Sequence, residues 1–449
     1  TMDPSDPWPA LRKFILRRFQ LEYLYPHQEL AVHYLLGALG KLGRTELEEN
    51  CPGLFICLPT GSGKSICFMG PAAELCEGET GGISLILYPL NALLRDQQRK
   101  FARAEVPAVL YCGALDSGEK SLALEAIRKM DRGVVLSNAE SASRGPLLPL
   151  LTEKRVRLLV IDEAHLILQW GGSFRPDLLR VIHIRMMLDN PVTAACTATI
   201  SDEQRRELAT LLWPGETWER IELLCDRPNI SYRVISCRDG LDGIKALLYM
   251  AAGGSGITPE EMGIEEELCL PAIVFVANRR LCEELAQRAR IWFRRWIGRT
   301  ERIWHYHAGL DTSLRREIES DYASAEDGLV FSTKAFGTGL DLPNVRCCIH
   351  FDPPETMEDF LQESGRAGRD GKPAASILLQ IRRRLFKAGE CRRRAALARI
   401  DQEPEHCAGC DVCNGTEREE PIEDILIGEF RRRHRIRGYL EDRDLLRSF

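Results

Sequence analysis

The sequence predicts an α/β protein built from two tandem doubly wound units, each a parallel sheet covered by helices. Three observations carry this. Short apolar runs of strand length alternate with amphipathic helical stretches along most of the 449 residues. The runs are continuous rather than alternating in polarity, as parallel strands covered on both faces must be. They fall into two series, separated at Asp226-Arg227-Pro228-Asn229, where proline and asparagine interrupt the pattern.

The first series comprises residues 54–58, 84–88, 134–137, 158–161 and 192–197. The second comprises residues 272–276, 303–306, 329–332, 347–351 and 376–379. Residues 40–53 and 252–270 read as loops or insertions. Past about residue 380 the composition changes: residues 381–400 hold eight Lys or Arg and one acid, a cysteine cluster follows, and a second basic run spans 431–437. The expected organisation is therefore one unit over 1–227, a second over 228–380, a small module over 381–415 and a tail over 416–449.

Composition sets limits on function. Charged residues make up 28% and hydrophobic residues 44% of the chain, an ordinary globular balance. The formal charge of −6 excludes nucleic-acid binding through bulk charge and leaves room for a local basic groove. No window holds the roughly 18 uncharged apolar residues that a transmembrane helix requires, so no membrane partner is expected. The opening TMDPSDPWPALRKF has no apolar signal region, and Thr1 before Met2 reads as the scar of an expression tag. The expected location is the cytoplasm, or the nucleus in a eukaryote. Of sixteen cysteines, Cys57, Cys67, Cys196, Cys225, Cys347 and Cys348 sit inside apolar runs, where they read as small buried hydrophobes.

The first strand of the series runs into Leu58-Pro59-Thr60-Gly61-Ser62-Gly63-Lys64-Ser65, and a helical stretch follows. Glycines let backbone N–H groups converge on phosphate oxygens, and a helix N-terminus favours their negative charge. In such a loop Lys64 reaches the β- and γ-phosphates of ATP and Ser65 ligates magnesium, while Leu58 stands where the general pattern has its first glycine. About a hundred residues on, the strand 158–161 ends in Asp162-Glu163-Ala164-His165. Ligands of open parallel sheets bind outside the carboxyl ends of the strands. Asp162 there can hold magnesium, and Glu163 can orient and deprotonate a water for in-line attack. The two motifs together predict a nucleotide hydrolase.

Near the C-terminus, Cys407, Cys410 and Cys413 lie at intervals of three, with Cys391 upstream. Four thiolates suit tetrahedral zinc. An iron–sulfur cluster takes the same ligands and is the rival. His406 is an alternative ligand.

Many further motifs, in order over residues 20–415, make the chain resemble the RecQ family of DEAH-box superfamily 2 DNA helicases. Tyr25-Pro26-His27-Gln28 resembles the adenine-reading segment, with Tyr25 where the family usually has arginine. Tyr88-Pro89-Leu90 with Asp96-Gln97 resembles the motif that meets the DNA backbone, and Cys196-Thr197-Ala198-Thr199 resembles the one that links hydrolysis to domain movement. Gln169-Trp170-Gly171-Gly172-Ser173-Phe174-Arg175-Pro176 resembles the family's aromatic-rich loop. Aromatic faces such as Trp170 and Phe174 stack on bases, and Arg175 offers a phosphate contact. In the second half, residues 272–279, Tyr306-His307-Ala308-Gly309-Leu310, 332–346 and Gln362-Glu363-Ser364-Gly365-Arg366-Ala367-Gly368-Arg369-Asp370 follow as in the family.

The resemblance implies two RecA-like P-loop NTPase domains and a zinc-binding module. It implies magnesium and ATP as cofactors and movement 3′ to 5′ on single-stranded and forked duplex DNA, in repair or recombination. The implied catalytic residues are Lys64, Asp162, Glu163, His165, Arg366 and Arg369, with Arg369 the better candidate for an arginine finger. The implied nucleotide contacts are Tyr25, Gln28, Thr60, Gly61, Ser62, Gly63, Lys64, Ser65, Asp162 and Gln362 together with the two arginines. The implied DNA contacts are Asn91, Gln169, Trp170, Phe174, Arg175 and Thr333, and the cysteine module is expected to bring the Arg392–Arg394 helix near DNA. Only 36 residues follow Cys413, too few for the family's winged-helix domain, so a short form is expected whose tail docks a protein partner. Two other readings remain open: a DNA-dependent motor subunit that unwinds little, in repair or defence against foreign DNA, and a nucleotide-switched binding subunit.

Overall fold

The computed structural model describes residues 7–42, 52–59, 61–77, 81–89, 91–166, 176–223, 225–251, 270–298, 302–334, 336, 342, 344–380, 385–425 and 427. The chain divides into two compact units, Thr1–Cys225 and Asp226–Phe449. Thr60, Gln169, Trp170, Phe174, Arg175 and the run 431–437 lie outside the described residues, as does the side chain of Asn91.

The first unit holds seven strands: β1 (Gly53–Cys57), β2 (Ile83–Leu87), β3 (Ala108–Leu110), β4 (Gly133–Ser137), β5 (Val156–Ile161), β6 (Val192–Thr197) and β7 (Trp218–Glu222). Their order is β3-β4-β2-β5-β6-β1-β7, with every pairing parallel. The continuous apolar runs have a direct reason. Successive side chains point to opposite faces, and here both faces are cores. Phe55, Leu85, Leu159 and Trp213 pack on one, and Leu54, Ile56, Ile86, Phe68 and Phe101 on the other.

The second unit holds β8 (Ile230–Ser236), β9 (Ala272–Phe275), β10 (Ile303–Tyr306), β11 (Leu329–Ser332), β12 (Cys347–His350) and β13 (Ala374–Gln380). They form a parallel sheet in the order β10-β11-β9-β12-β13-β8. The edge strand β8 would leave a row of open backbone groups, a template for unwanted pairing. The cysteine segment covers it: Tyr232 N–H donates to Gly409 O at 3.3 Å, and Asp411 N–H donates to Tyr232 O at 3.1 Å.

Three strands escape the apolar-run pattern. All are edge strands: β3 is three residues long, β7 reads Trp-Glu-Arg-Ile-Glu with two exposed charges, and β8 carries Arg233 and two serines. An edge position relieves a strand of the need to be apolar on both faces. None of the fourteen described cysteines stands in a disulfide, and Cys57, Cys67, Cys196, Cys347 and Cys348 are buried as expected. Cys225 is half-buried instead, its thiol on Ala198 O at 2.9 Å. Among the described residues no helix is long and apolar enough to cross a membrane.

Candidate nucleotide site and cysteine cluster

In the first unit β6 lies between β1 and β5. The carboxyl ends of the three strands are therefore neighbours, with Cys57 beside Thr197 and Ile161 beside Ala195 in register. The chain leaves β1 through Gly61 and Gly63, at φ +88° and +74°, and enters the helix Lys64–Glu77. Only glycine takes such φ values without strain. A Cβ on Gly63 would also collide with the side-chain nitrogen of Gln28.

Gln28 is the strut of this loop. It is 5% exposed. Its Nε2 donates to Ser62 O at 3.0 Å and Gly63 O at 3.4 Å, while its Oε1 accepts from Tyr25 N–H at 3.0 Å. His27 Nε2 lies 3.1 Å from Ser62 O, and Ser62 Oγ donates to Pro59 O at 2.7 Å. The Tyr25 ring stacks on His27, 5.6 Å between centroids and 7° between planes. Tyr25 is 47% exposed and offers its ring to solvent.

Lys64 Nζ points to the acid pair, 3.3 Å from Asp162 Oδ1 and 3.4 Å from Glu163 Oε1. Burial works against the ammonium charge, but the two carboxylates overcome it and push the Lys64 pKa up. Burial raises Asp162, with Lys64 pulling the other way. Glu163 adopts φ +50°, a left-handed conformation that costs a non-glycine residue about 1–2 kcal/mol. Its N–H donates to Asp162 Oδ1 at 3.0 Å, which helps to hold that turn.

His165 is 2% exposed and joins β5 to β6. Thr197 Oγ1 donates to Thr199 O at 2.9 Å, so its lone pair accepts from His165 Nδ1–H at 2.8 Å. That fixes the tautomer and ties the acid motif to the Thr197-Ala198-Thr199 motif. Two carboxylates against one ammonium leave an excess negative charge with hard oxygen donors. This donor set fits a magnesium ion, which Asp162 and Ser65 would hold.

The second unit holds Thr333, Gln362, Arg366 and Arg369. Thr333 follows β11. Gln362 lies in the helix Met357–Ser364, and Arg366 and Arg369 lie in the turn after it, with Arg366 buried and Arg369 half-buried. Behind the turn, His350 Nδ1 meets Glu363 Oε2 at 2.9 Å and its Nε2 meets Ser376 Oγ at 3.1 Å, all buried.

Cys391, Cys407, Cys410 and Cys413 converge, their sulfurs all within 4.8 Å of one another. Cys410 and Cys391 sulfurs are 3.9 Å apart. Metal–sulfur bonds of about 2.3 Å in a tetrahedron give sulfur separations of about 3.8 Å, so the four thiols fit such an ion. Cys413 N–H donates to Cys410 Sγ at 3.4 Å, the kind of contact that stabilises a thiolate ligand. His406 is not in this group.

The expectation for the neighbouring arginines needs correction. Arg392 and Arg393 are 3% and 0% exposed. Arg392 forks onto Asp411 at 3.0 and 3.3 Å and reaches Glu417 at 2.5 Å. Arg393 pairs with Asp226 and Ile230 O, donates to Arg227 O at 3.0 Å, and lies 4.9 Å from the Tyr232 ring centroid. These two cations are consumed inside the unit and present no face to DNA. Only Arg394 of the three is exposed, at 61% of its side chain.

Glu283, His305 and His307 also bring ligand atoms within 4.8 Å of one another. The hydrogen bonds argue against a metal there. His307 Nδ1 accepts from Gly309 N–H at 3.2 Å, so Nε2 carries the proton it shares with Glu283 at 2.9 Å and has no lone pair for an ion.

Comparison with known proteins shows what the chain resembles. Residues 25–208 match the DEAD/DEAH box helicase model, and residues 261–371 match the helicase conserved C-terminal domain. A probable ATP-dependent DNA helicase RecS of Bacillus subtilis is 34% identical over 324 residues, covering 72% of this chain and 60% of that protein. An ATP-dependent DNA helicase RecQ of Synechocystis is 31% identical over 335 residues, covering 72% of this chain and 64% of that protein. The chain thus spans somewhat under two thirds of these relatives. The structure of Mss116p bound to single-stranded RNA and AMP-PNP superposes with a TM-score of 0.64 at 17% identity, over 95% of this chain and 80% of that one, a likeness of fold. With two RecA-like parallel sheets, Lys64 facing an acid pair, and both helicase models matched in order, the chain belongs to the DEAD/DEAH box helicases, with RecQ DNA helicases among its relatives.

Proposed function

We propose that this protein hydrolyses ATP to move 3′ to 5′ along single-stranded DNA and to open forked duplexes. The observation that carries the reading is the meeting of Lys64 with Asp162 and Glu163 beyond the ends of β1 and β5. Thr60, Gly61, Ser62 and Gly63 would cradle the phosphates with their backbone N–H groups. Tyr25 would stack on the base and Gln28 would stay beneath the loop, with one Oε1 lone pair left for the adenine edge. Glu163 would take the proton of the attacking water. Magnesium, held by Ser65 and Asp162, would neutralise phosphate charge. Gln362, Arg366 and Arg369 are assigned to the nucleotide, the arginines to the charge that spreads over the transferred phosphoryl group. Asn91, Gln169, Trp170, Phe174, Arg175 and Thr333 are assigned to the DNA. Their contacts would be mainly to backbone and base faces and so indifferent to sequence. Zinc in the four cysteines would lock the segment that covers β8.

The DNA assignment rests on the sequence relatives, whose names specify DNA helicases; the fold alone is shared with a protein bound to RNA. The test is ATP turnover with and without single-stranded DNA or RNA, for the parent and for Trp170→Ala. DNA should stimulate the parent and not the variant. Stimulation by RNA alone overturns the DNA reading, and full DNA stimulation of Trp170→Ala overturns the role of the aromatic loop. Strand displacement from forks with a 3′ or a 5′ loading strand then reads polarity. Turnover without displacement favours the motor-subunit reading.

A further inference from the structure

The segment Asp226-Arg227-Pro228-Asn229, which the sequence marks only as a break between the two series of strands, is built into the turn that bears Arg366 and Arg369. The Arg227 guanidinium donates to three carbonyls of that turn: Gly365 O at 3.4 Å, Ala367 O at 3.4 Å and Gly368 O at 2.6 Å. Asn229 Nδ2 donates to Gly368 O and to Lys372 O, each at 2.8 Å. Gly368 sits at φ +57°, and a Cβ there would strike the Asn229 side chain. Its own N–H is held by Val345 O at 2.8 Å.

The physical need is plain. The helix Met357–Ser364 ends at Gly365, so the carbonyls just beyond it lie past the helical hydrogen-bond ladder, at the negative end of the helix dipole; Gly368 O also accepts from Gly371 N–H at 3.0 Å. A guanidinium presents several N–H groups in a rigid fork, so one side chain serves three acceptors; an ammonium could not match that geometry. Arg227 is itself held from behind, since its carbonyl accepts from Arg393 at 3.0 Å and Arg393 also pairs with Asp226. Arg393 belongs to the helix that starts directly after Cys391. The cysteine segment, the start of β8 and the arginine turn therefore form one connected frame within the second unit.

We propose that Arg227, with Asn229, is a positioning residue that fixes the turn carrying Arg366 and Arg369 for their work on the nucleotide. The proposal rests on the phosphate role given to those arginines above. Displacing reacting groups by about 1 Å costs roughly a hundredfold in rate, so a loosened turn should lower kcat while leaving KM for ATP near the parental value.

The test uses the full chain in four forms: Arg227→Ala, Arg227→Lys, Arg369→Ala and the double variant Arg227→Ala/Arg369→Ala. DNA-stimulated kcat should fall about 10- to 100-fold in Arg227→Ala and recover only in part in Arg227→Lys. In the Arg369→Ala background, removing Arg227 should cost less, because one of the two arginines it positions is gone and only Arg366 remains. Hydrogen exchange over residues 361–374 should quicken in Arg227→Ala, with exchange in the first unit unchanged. If Arg227→Ala is too unstable to purify, Asn229→Ala should show the same pattern in smaller measure. A slow Arg369→Ala beside a parental Arg227→Ala overturns this proposal alone, as do equal losses in the two backgrounds or unchanged exchange. A parental rate in Arg369→Ala removes the phosphate role of that arginine, and this proposal falls with it.

Discussion

Replacing Gly63 with alanine tests how the nucleotide loop is built. The residue sits at φ +74°, where an L side chain costs about 1–2 kcal/mol. Its new Cβ would also overlap Gln28 Nε2. Gln28 can move aside only by giving up its bonds to Ser62 O, Gly63 O and Tyr25 N–H, each worth about 1 kcal/mol net. The 3.4 Å bond is the weakest of the three, so with the strain the loop conformation loses about 3–5 kcal/mol in all. When the binding-competent state is disfavoured by that amount, the apparent Kd rises about a hundredfold or more. Titration calorimetry with a non-hydrolysable ATP analogue reads this directly. In a Gln28→Ala background the collision is gone and only the φ strain remains, so Gly63→Ala should then weaken binding about 5- to 30-fold. A loss under threefold in the single variant, or equal losses in both backgrounds, refutes the reasoning.

The other predictions concern chemistry, stability and metal. Glu163→Gln should slow turnover by about 10²–10⁴-fold while ATP still binds; single-turnover kinetics and calorimetry separate the two, and a parental rate removes Glu163 as the base. Arg393→Met should destabilise the second unit by about 3 kcal/mol, because half-buried Asp226 is left without its cation and Arg227 O and Ile230 O each lose a donor. Denaturant unfolding measures that loss, and a change under 1 kcal/mol contradicts the role given to Arg393. Metal analysis should find one zinc per chain, lost together with thermal stability in Cys410→Ser; iron with visible absorbance would replace zinc with an iron–sulfur cluster.

What was legible in the sequence follows from distance along the chain. The loop at Gly61, Gly63 and Lys64 is decided locally. A strand, two glycines at positive φ and a helix N-terminus suffice to shape it, and all lie within a dozen residues. The strands of both sheets were legible where both faces are covered, because burial on two sides demands an unbroken apolar run. β3, β7 and β8, three of the four edge strands, were not, since an edge strand carries no such demand; the fourth, β10, keeps the run Ile303-Trp304-His305-Tyr306 and was legible.

The sequence by itself determined ten of the thirteen strands, the glycine loop ahead of Lys64, the acid pair and the four-cysteine set. Only the tertiary structure decided that β6 lies between β1 and β5, which is what brings Lys64 to Asp162 and Glu163. It also reversed the reading of the Arg392–Arg394 run. A basic run looks the same in sequence whether its charges face solvent or a buried acid, and here Asp411, Glu417 and Asp226 stand opposite Arg392 and Arg393. Arg227 shows the same limit: its partners lie some 140 residues away, and nothing local could say that a residue beside a chain-breaking proline holds three carbonyls of a distant turn.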